Sequence, residues 1–81
     1  MYVLECTTAG GRVSVHVGIA LDVHARVRQH AAGQVKATRG RTVQLLGHSD
    51  PLPHGDALRM EASMKRQPPS QKRQVAARWS R

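Results

Sequence analysis

Five side chains in this sequence have the types and positions to act on a phosphodiester: Tyr2, His16, Arg26, His30 and Glu61. Hydrolysis of that bond needs a base for water, a cation for the charge that builds on the phosphoryl group, and a hard metal held by carboxylate. Arg26 and His30 are four apart, so on a helix they share a face, beside a Val23/Val27/Ala31 stripe. Glu61 lies three after Leu58 and one before Ala62, close to the expected buried side of a second helix. Taken singly, each residue has a plainer reading. Glu61 and Lys65 have the i,i+4 spacing of a solvated helix pair. Arg26 suits a surface charge, His16 a structural position on a strand, and His30 the favourable end of a helix dipole.

These residues need elements to hold them. Tyr2 to Cys6 is a short apolar strand, and Thr7 to Gly11 a glycine-containing turn. Arg12 to Ile19 alternates, with Val13, Val15, Val17 and Ile19 on one side and Ser14, His16 and Gly18 on the other. Period two over that length predicts a half-buried strand, and the two strands read as a hairpin. Asp22 to Ala32 is a helix with an acid at its start and Gly33 as its stop. Gln34 to Arg41 is a basic loop carrying Lys36, Arg39 and Arg41. Thr42 to His48 is a third strand, and Ser49 to Gly55 a loop with two prolines. Asp56 to about Gln67 is the second helix, with Leu58, Ala62 and Met64 inward, ended by Pro68-Pro69. Ser70 is placed to cap a last short helix running to Trp79. The order is β-β-α-β-α-α, an α+β class with a small three-stranded antiparallel sheet flanked by helices.

With 81 residues the chain is expected to form a single domain, 1–81, with a modest core. Its thirteen Lys and Arg against five Asp and Glu leave a net charge of +8, which points to a polyanionic partner, nucleic acid first. No long apolar run or Phe/Leu/Trp-rich face argues for a membrane. Met1 leads straight into an apolar segment without a secretion signal, so a cytoplasmic protein is expected. The single Cys6 excludes an internal disulfide framework and a cysteine-rich zinc site, and reads as a small buried hydrophobe. Tyr2 and Trp79 are the two aromatics, too few for the stacking platforms of a single-strand binder. His24, His48 and His54 lack ligand-like spacing and read as surface residues. The residues alone therefore lead to a basic α+β domain that binds nucleic acid, with catalysis left open.

Order and spacing carry the reading further. Tyr2-Val-Leu-Glu-Cys6 and His16-Val-Gly18-Ile are similar to the two halves of the motif that defines the GIY-YIG nuclease superfamily. Asp22-Val-His-Ala-Arg26-Val-Arg-Gln-His30 resembles the helix that follows, with its arginine and, four later, a His or Tyr. Gly33 and Lys36-Ala-Thr-Arg-Gly-Arg41 resemble the basic loop, and Ala57-Leu-Arg-Met-Glu61 with Lys65-Arg66 the helix bearing the metal-binding Glu. The chain most resembles the compact stand-alone bacterial branch, from Tyr2 to about Arg73. The resemblance implies a metal-dependent DNA endonuclease acting in repair, recombination or processing of structured DNA, on double-stranded or branched substrate. By it, Tyr2 positions or deprotonates the attacking water, Arg26 binds the scissile phosphate, and His30 moves a proton. Glu61 holds one Mg²⁺ or Mn²⁺ ion. Lys36, Arg39, Arg41 and Lys65 would contact nucleic acid. His16 stands where the family has its second tyrosine, and Ala20 where a small hydroxyl residue is common. The alternatives are a non-catalytic nucleic-acid-binding module on the same scaffold, or a subunit that needs a protein partner, with the basic helices and Trp79 as interface.

Overall fold

In the computed structural model, which describes residues 1–79, three antiparallel strands lie in the order β2-β1-β3: β1 Tyr2–Thr7, β2 Val13–Gly18 and β3 Thr42–His48. The helices are α1 Val23–Ala31, α2 His54–Lys65 and α3 Pro69–Trp79. The class and element order are those expected from the sequence, an α+β fold running β-β-α-β-α-α. No helix of the described residues is long and apolar enough to cross a membrane.

β1 is the central strand, and this decides what its side chains must be. Both of its faces are covered, so Tyr2, Val3, Leu4 and Cys6 are all buried. Tyr2, Leu4 and Cys6 face α1 and pack with Val23, Val27, Val43 and Leu45. Val3 faces the other way and joins Met1, Val15, Met64 and Ala76, with Val75 and Trp79 of α3 packed alongside. Trp79 is thus a partly buried member of this packing. Fully burying a side chain such as Val3 or Leu4 contributes about 1.5–3 kcal/mol. Opposite Val3 and Leu4, β3 carries a bulge: Leu4 pairs with Leu45, whereas Val3 pairs with Gly47. Leu46 is the extra residue; Leu45 packs on the α1 side of the sheet and Leu46 on the other.

The helix faces differ from the expected ones by one position. In α1 the inward residues are Val23, Val27 and then His30, while Ala31 is exposed. In α2 they are Ala57, Glu61 and Met64, while Leu58 is 48% exposed and Ala62 is also exposed. Each is an i, i+4, i+7 stripe, and each carries one polar residue. The expected stripe on α2 put leucine inward on hydrophobicity alone; the packing prefers the smaller Ala57. Val13 is likewise exposed at the start of β2, and Ile19 lies beyond the end of that strand.

Local chemistry sets the helix ends. The Asp22 carboxylate accepts from the Ala25 amide at 3.0 Å and caps α1. At the far end the Gly33 amide donates to the His30 carbonyl and the Gln34 amide to that of Gln29, a Schellman motif that needs the positive φ of 77° at Gly33. α2 starts two residues earlier than expected, with the Pro53 carbonyl accepting from Ala57. Ser70 lies inside α3 and does not cap it. The Pro68 carbonyl accepts from Lys72, and Pro69 takes the first helical position that proline favours. The basic loop, expected to be irregular, contains a 3₁₀ turn, Lys36–Thr38.

Candidate active site

The hairpin register pairs Tyr2 with Gly18 and Leu4 with His16, so these four residues share the face covered by α1. Gly18 has no side chain because the Tyr2 phenol occupies the space: a methyl group there would overlap the ring and hydroxyl. The phenol is directed across the sheet to α1, where Tyr2 Oη and His30 Nε2 are 3.0 Å apart. The two rings meet edge to face with centroids 5.9 Å apart. His30 Nδ1 lies 2.8 Å from the Thr38 hydroxyl, supplied by the 3₁₀ turn. His30 is 6% exposed and Thr38 1%, so neither polar group has water as an alternative partner. When Thr38 donates to the Val35 carbonyl, its oxygen accepts from His30 Nδ1–H. His30 Nε2 is then the acceptor for the Tyr2 proton. Burial, followed by the charge of Arg26 and the neighbouring His16, holds the His30 pKa below its ordinary value. The ring is therefore neutral near pH 7 and able to accept a proton.

His16 sits in a different setting on the same face. Its Nε2 is 3.0 Å from Ser14 Oγ and 3.3 Å from an Arg41 guanidinium nitrogen, and Arg41 also donates to Ser14 Oγ at 3.3 Å. Burial, then Arg41, then Lys72 push the His16 pKa down. Arg26, one turn before His30, is steadied within its own helix by a 3.0 Å hydrogen bond to Gln29 Oε1. Glu61 comes from α2. Its side chain is 22% exposed, with Lys65 Nζ 3.7 Å away.

Tyr2, His16, Arg26, His30 and Glu61 all line one cleft of about 250 Å³, with Gly18, Val35 and Thr38 among its other walls. The structure thus brings together all five residues singled out from the sequence, from β1, β2, α1 and α2. It does not bring the basic residues into the same place. Lys36 and Arg39 are exposed outside the cleft lining, and Arg39 Nε donates to the Gly33 carbonyl at 2.9 Å. Lys65 is exposed on α2. Arg41 is half-buried and tied to His16. Thr38 and Ser14 are members of the site that sequence reasoning missed. Ser14 shares the period-two face of His16 and was detectable in principle. Thr38 was not, because only the 3₁₀ turn brings it under His30.

Glu61 is a lone carboxylate, and no group of three His, Cys, Asp or Glu that could hold a metal occurs among the described residues. Such a site fits Mg²⁺ or Mn²⁺, which keep several waters and use substrate phosphate, and not a zinc-type protein cage. Cys6, fully buried beside Leu4 in the α1-side cluster, has its thiol pKa raised, chiefly by burial, and is a packing residue.

The chain is 40% identical over 74 residues to a UPF0213 protein of Cupriavidus pinatubonensis, a match covering 89% of this chain and 78% of that protein. No family model matches the chain, and no solved structure does.

Proposed function

The chain belongs to the UPF0213 family, and we propose that this member is a GIY-YIG-type endonuclease, cleaving DNA phosphodiester bonds with one divalent metal ion on Glu61. The observation that carries this reading is the convergence of Tyr2, His16, Arg26, His30 and Glu61 on one cleft in a domain of net charge +8. A base, a guanidinium and a carboxylate around one small volume are what in-line attack of water on a phosphodiester requires.

In this reading Tyr2 takes the proton of the attacking water while its own proton passes to His30 Nε2. Thr38 keeps His30 oriented to receive it. Arg26 binds the scissile phosphate and offsets the charge that develops there. Glu61 holds the metal, which supplies Lewis-acid stabilisation of the leaving 3′-oxygen. The exposed Lys36, Arg39 and Lys65 hold the backbone of double-stranded or branched DNA by its phosphates, which favours structure over sequence as the thing recognised. Repair, recombination or processing of structured DNA is the matching role. A second reading, a binding module without turnover or one that waits for a protein partner, is favoured by a single observation: the His16 lone pair is engaged by Arg41 and Ser14.

The test is cleavage of supercoiled plasmid and branched DNA in Mg²⁺ or Mn²⁺, with binding measured in parallel. Tyr2→Phe and Arg26→Ala are expected to lose on the order of 10²–10³-fold in kcat while still binding DNA. Wild-type protein that binds every substrate and cuts none, in either metal, sides with the second reading.

A further inference from the structure

The two histidines of the cleft both turn Nε2 toward a hydrogen-bond donor and differ at Nδ1, which in His30 is bonded to Thr38 and in His16 has no partner among the described residues. His30 Nε2 faces the Tyr2 phenol, a group that has a proton to give. His16 Nε2 faces the Arg41 guanidinium at 3.3 Å and the Ser14 hydroxyl at 3.0 Å. Arginine has donors only, and it does not lose its proton in proteins. A hydrogen on His16 Nε2 has the Ser14 oxygen as an acceptor but crowds the Arg41 N–H, whereas a bare Nε2 accepts from both groups. Arg41 therefore favours the bare nitrogen, with the single ring proton of neutral His16 on Nδ1.

We propose that Arg41, acting with Ser14, is a positioning residue that locks His16 as the Nδ1–H tautomer, so that His16 offers a phosphate oxygen a hydrogen-bond donor and does not act as a base. The substrate part of this statement rests on the nuclease reading above; the tautomer does not. Arg41 is thereby assigned to the site itself, in place of the general phosphate contact expected from a residue of the basic loop. Ser14 fits the same scheme. Its proton goes to His16 Nε2, and its oxygen accepts from Arg41. Nδ1 makes no hydrogen bond among the described residues, which leaves it for a ligand of the cleft that His16 lines. A phosphodiester oxygen, acceptor-only and negatively charged, is the complementary group.

The charged groups around His16 act in the same direction. Arg41 precedes β3, Lys72 comes from α3, and both lower its pKa, as does burial. From α1, Arg26 and His30 line the same cleft, and Glu61 of α2 is the one acid there. With the imidazolium disfavoured, His16 stays a neutral donor near pH 7. This also gives a reason for histidine at a position where the resemblance leads one to expect tyrosine. A phenol is likewise a neutral donor at that pH, with an O–H in place of Nδ1–H.

The test is long-range ¹H–¹⁵N spectroscopy of the histidine rings in the whole protein, joined to steady-state cleavage kinetics. In the wild type, His16 Nε2 is expected to show the shift of a bare, pyridine-type nitrogen and Nδ1 that of a protonated one. Arg41→Glu places an acceptor-only group beside the ring and is expected to put a proton on His16 Nε2; Arg41→Ala is expected to release it to a mixture of tautomers with a raised pKa. Both variants are expected to lose on the order of 10²-fold in kcat with little change in KM. The His30 signals, unchanged, report that the fold is kept. Wild-type His16 protonated on Nε2, or a bare Nε2 kept in Arg41→Glu, overturns the proposal. So does a raised KM with unchanged kcat, which marks Arg41 as a phosphate contact only. The expected tautomer in a protein that cuts no DNA would overturn the nuclease reading and leave the Arg41–His16 lock standing.

Discussion

Tyr2, His30 and Thr38 form a line of three polar groups inside an apolar surround, and each depends on the next. Thr38→Val keeps the shape but leaves His30 Nδ1 without its partner. We expect a loss of about 1–3 kcal/mol in urea unfolding, the cost of an unpaired buried polar group. A fall in kcat should accompany it, because the ring is no longer held for Tyr2. The two cleft histidines also make stability depend on pH in one direction. Both have folded-state pKa values below the ordinary 6.5, so as pH falls the unfolded chain takes up protons first. Their contribution is complete above pH 6.5 and is lost as pH drops through that value toward the lowered ones. Urea midpoints should therefore decline on acidification below 6.5, and the decline should be shallower in His30→Asn. At this scale the sequence was informative wherever the chemistry rides on a period. His16 and Gly18 follow from strand alternation, and Arg26 and His30 from helical spacing. Thr38 and the Arg41–His16 contact were not legible, because each joins a loop to a distant element and no local spacing announces it.

At the level of elements, the strands and helices were readable because their ends carry specific signals, Asp22 and Gly33 above all. Which helix face turns inward was less readable. A stripe is a competition among neighbouring positions, and hydrophobicity favoured Leu58 and Ala62 over Ala57 and Glu61. Packing reversed that order, and the reversal matters to the chemistry: with Ala57, Glu61 and Met64 inward, the carboxylate lines the cleft and not the solvent face. Responses to substitution along α2 should therefore be unequal. Met64→Ala should cost about 2–5 kcal/mol as a cavity in the α3-side packing. Leu58→Ser should stay within about 0.5 kcal/mol, as an exposed site does. Equal costs in thermal or urea unfolding would restore the stripe read from the sequence. The β3 bulge was invisible to sequence reasoning because Leu45-Leu46 fits a plain strand equally well.

Over the whole molecule, a thin core and a charge of +8 divide the labour. One sheet face with α1 and α2 builds the cleft, and in the proposed nuclease the exposed cations would supply a field for DNA. Binding to DNA should weaken steeply with salt. Replacing Lys36 or Arg39 with alanine should lower the slope of log affinity against log salt by about one each, with kcat at saturating DNA little changed. The most direct test of the central claim is nicking of supercoiled plasmid by wild type and Glu61→Ala, with and without Mg²⁺, at matched concentrations of folded protein. Mg²⁺-dependent nicking by the wild type is expected, abolished in Glu61→Ala while DNA binding persists. Equal nicking by the two proteins, or nicking that survives a chelator, would contradict it.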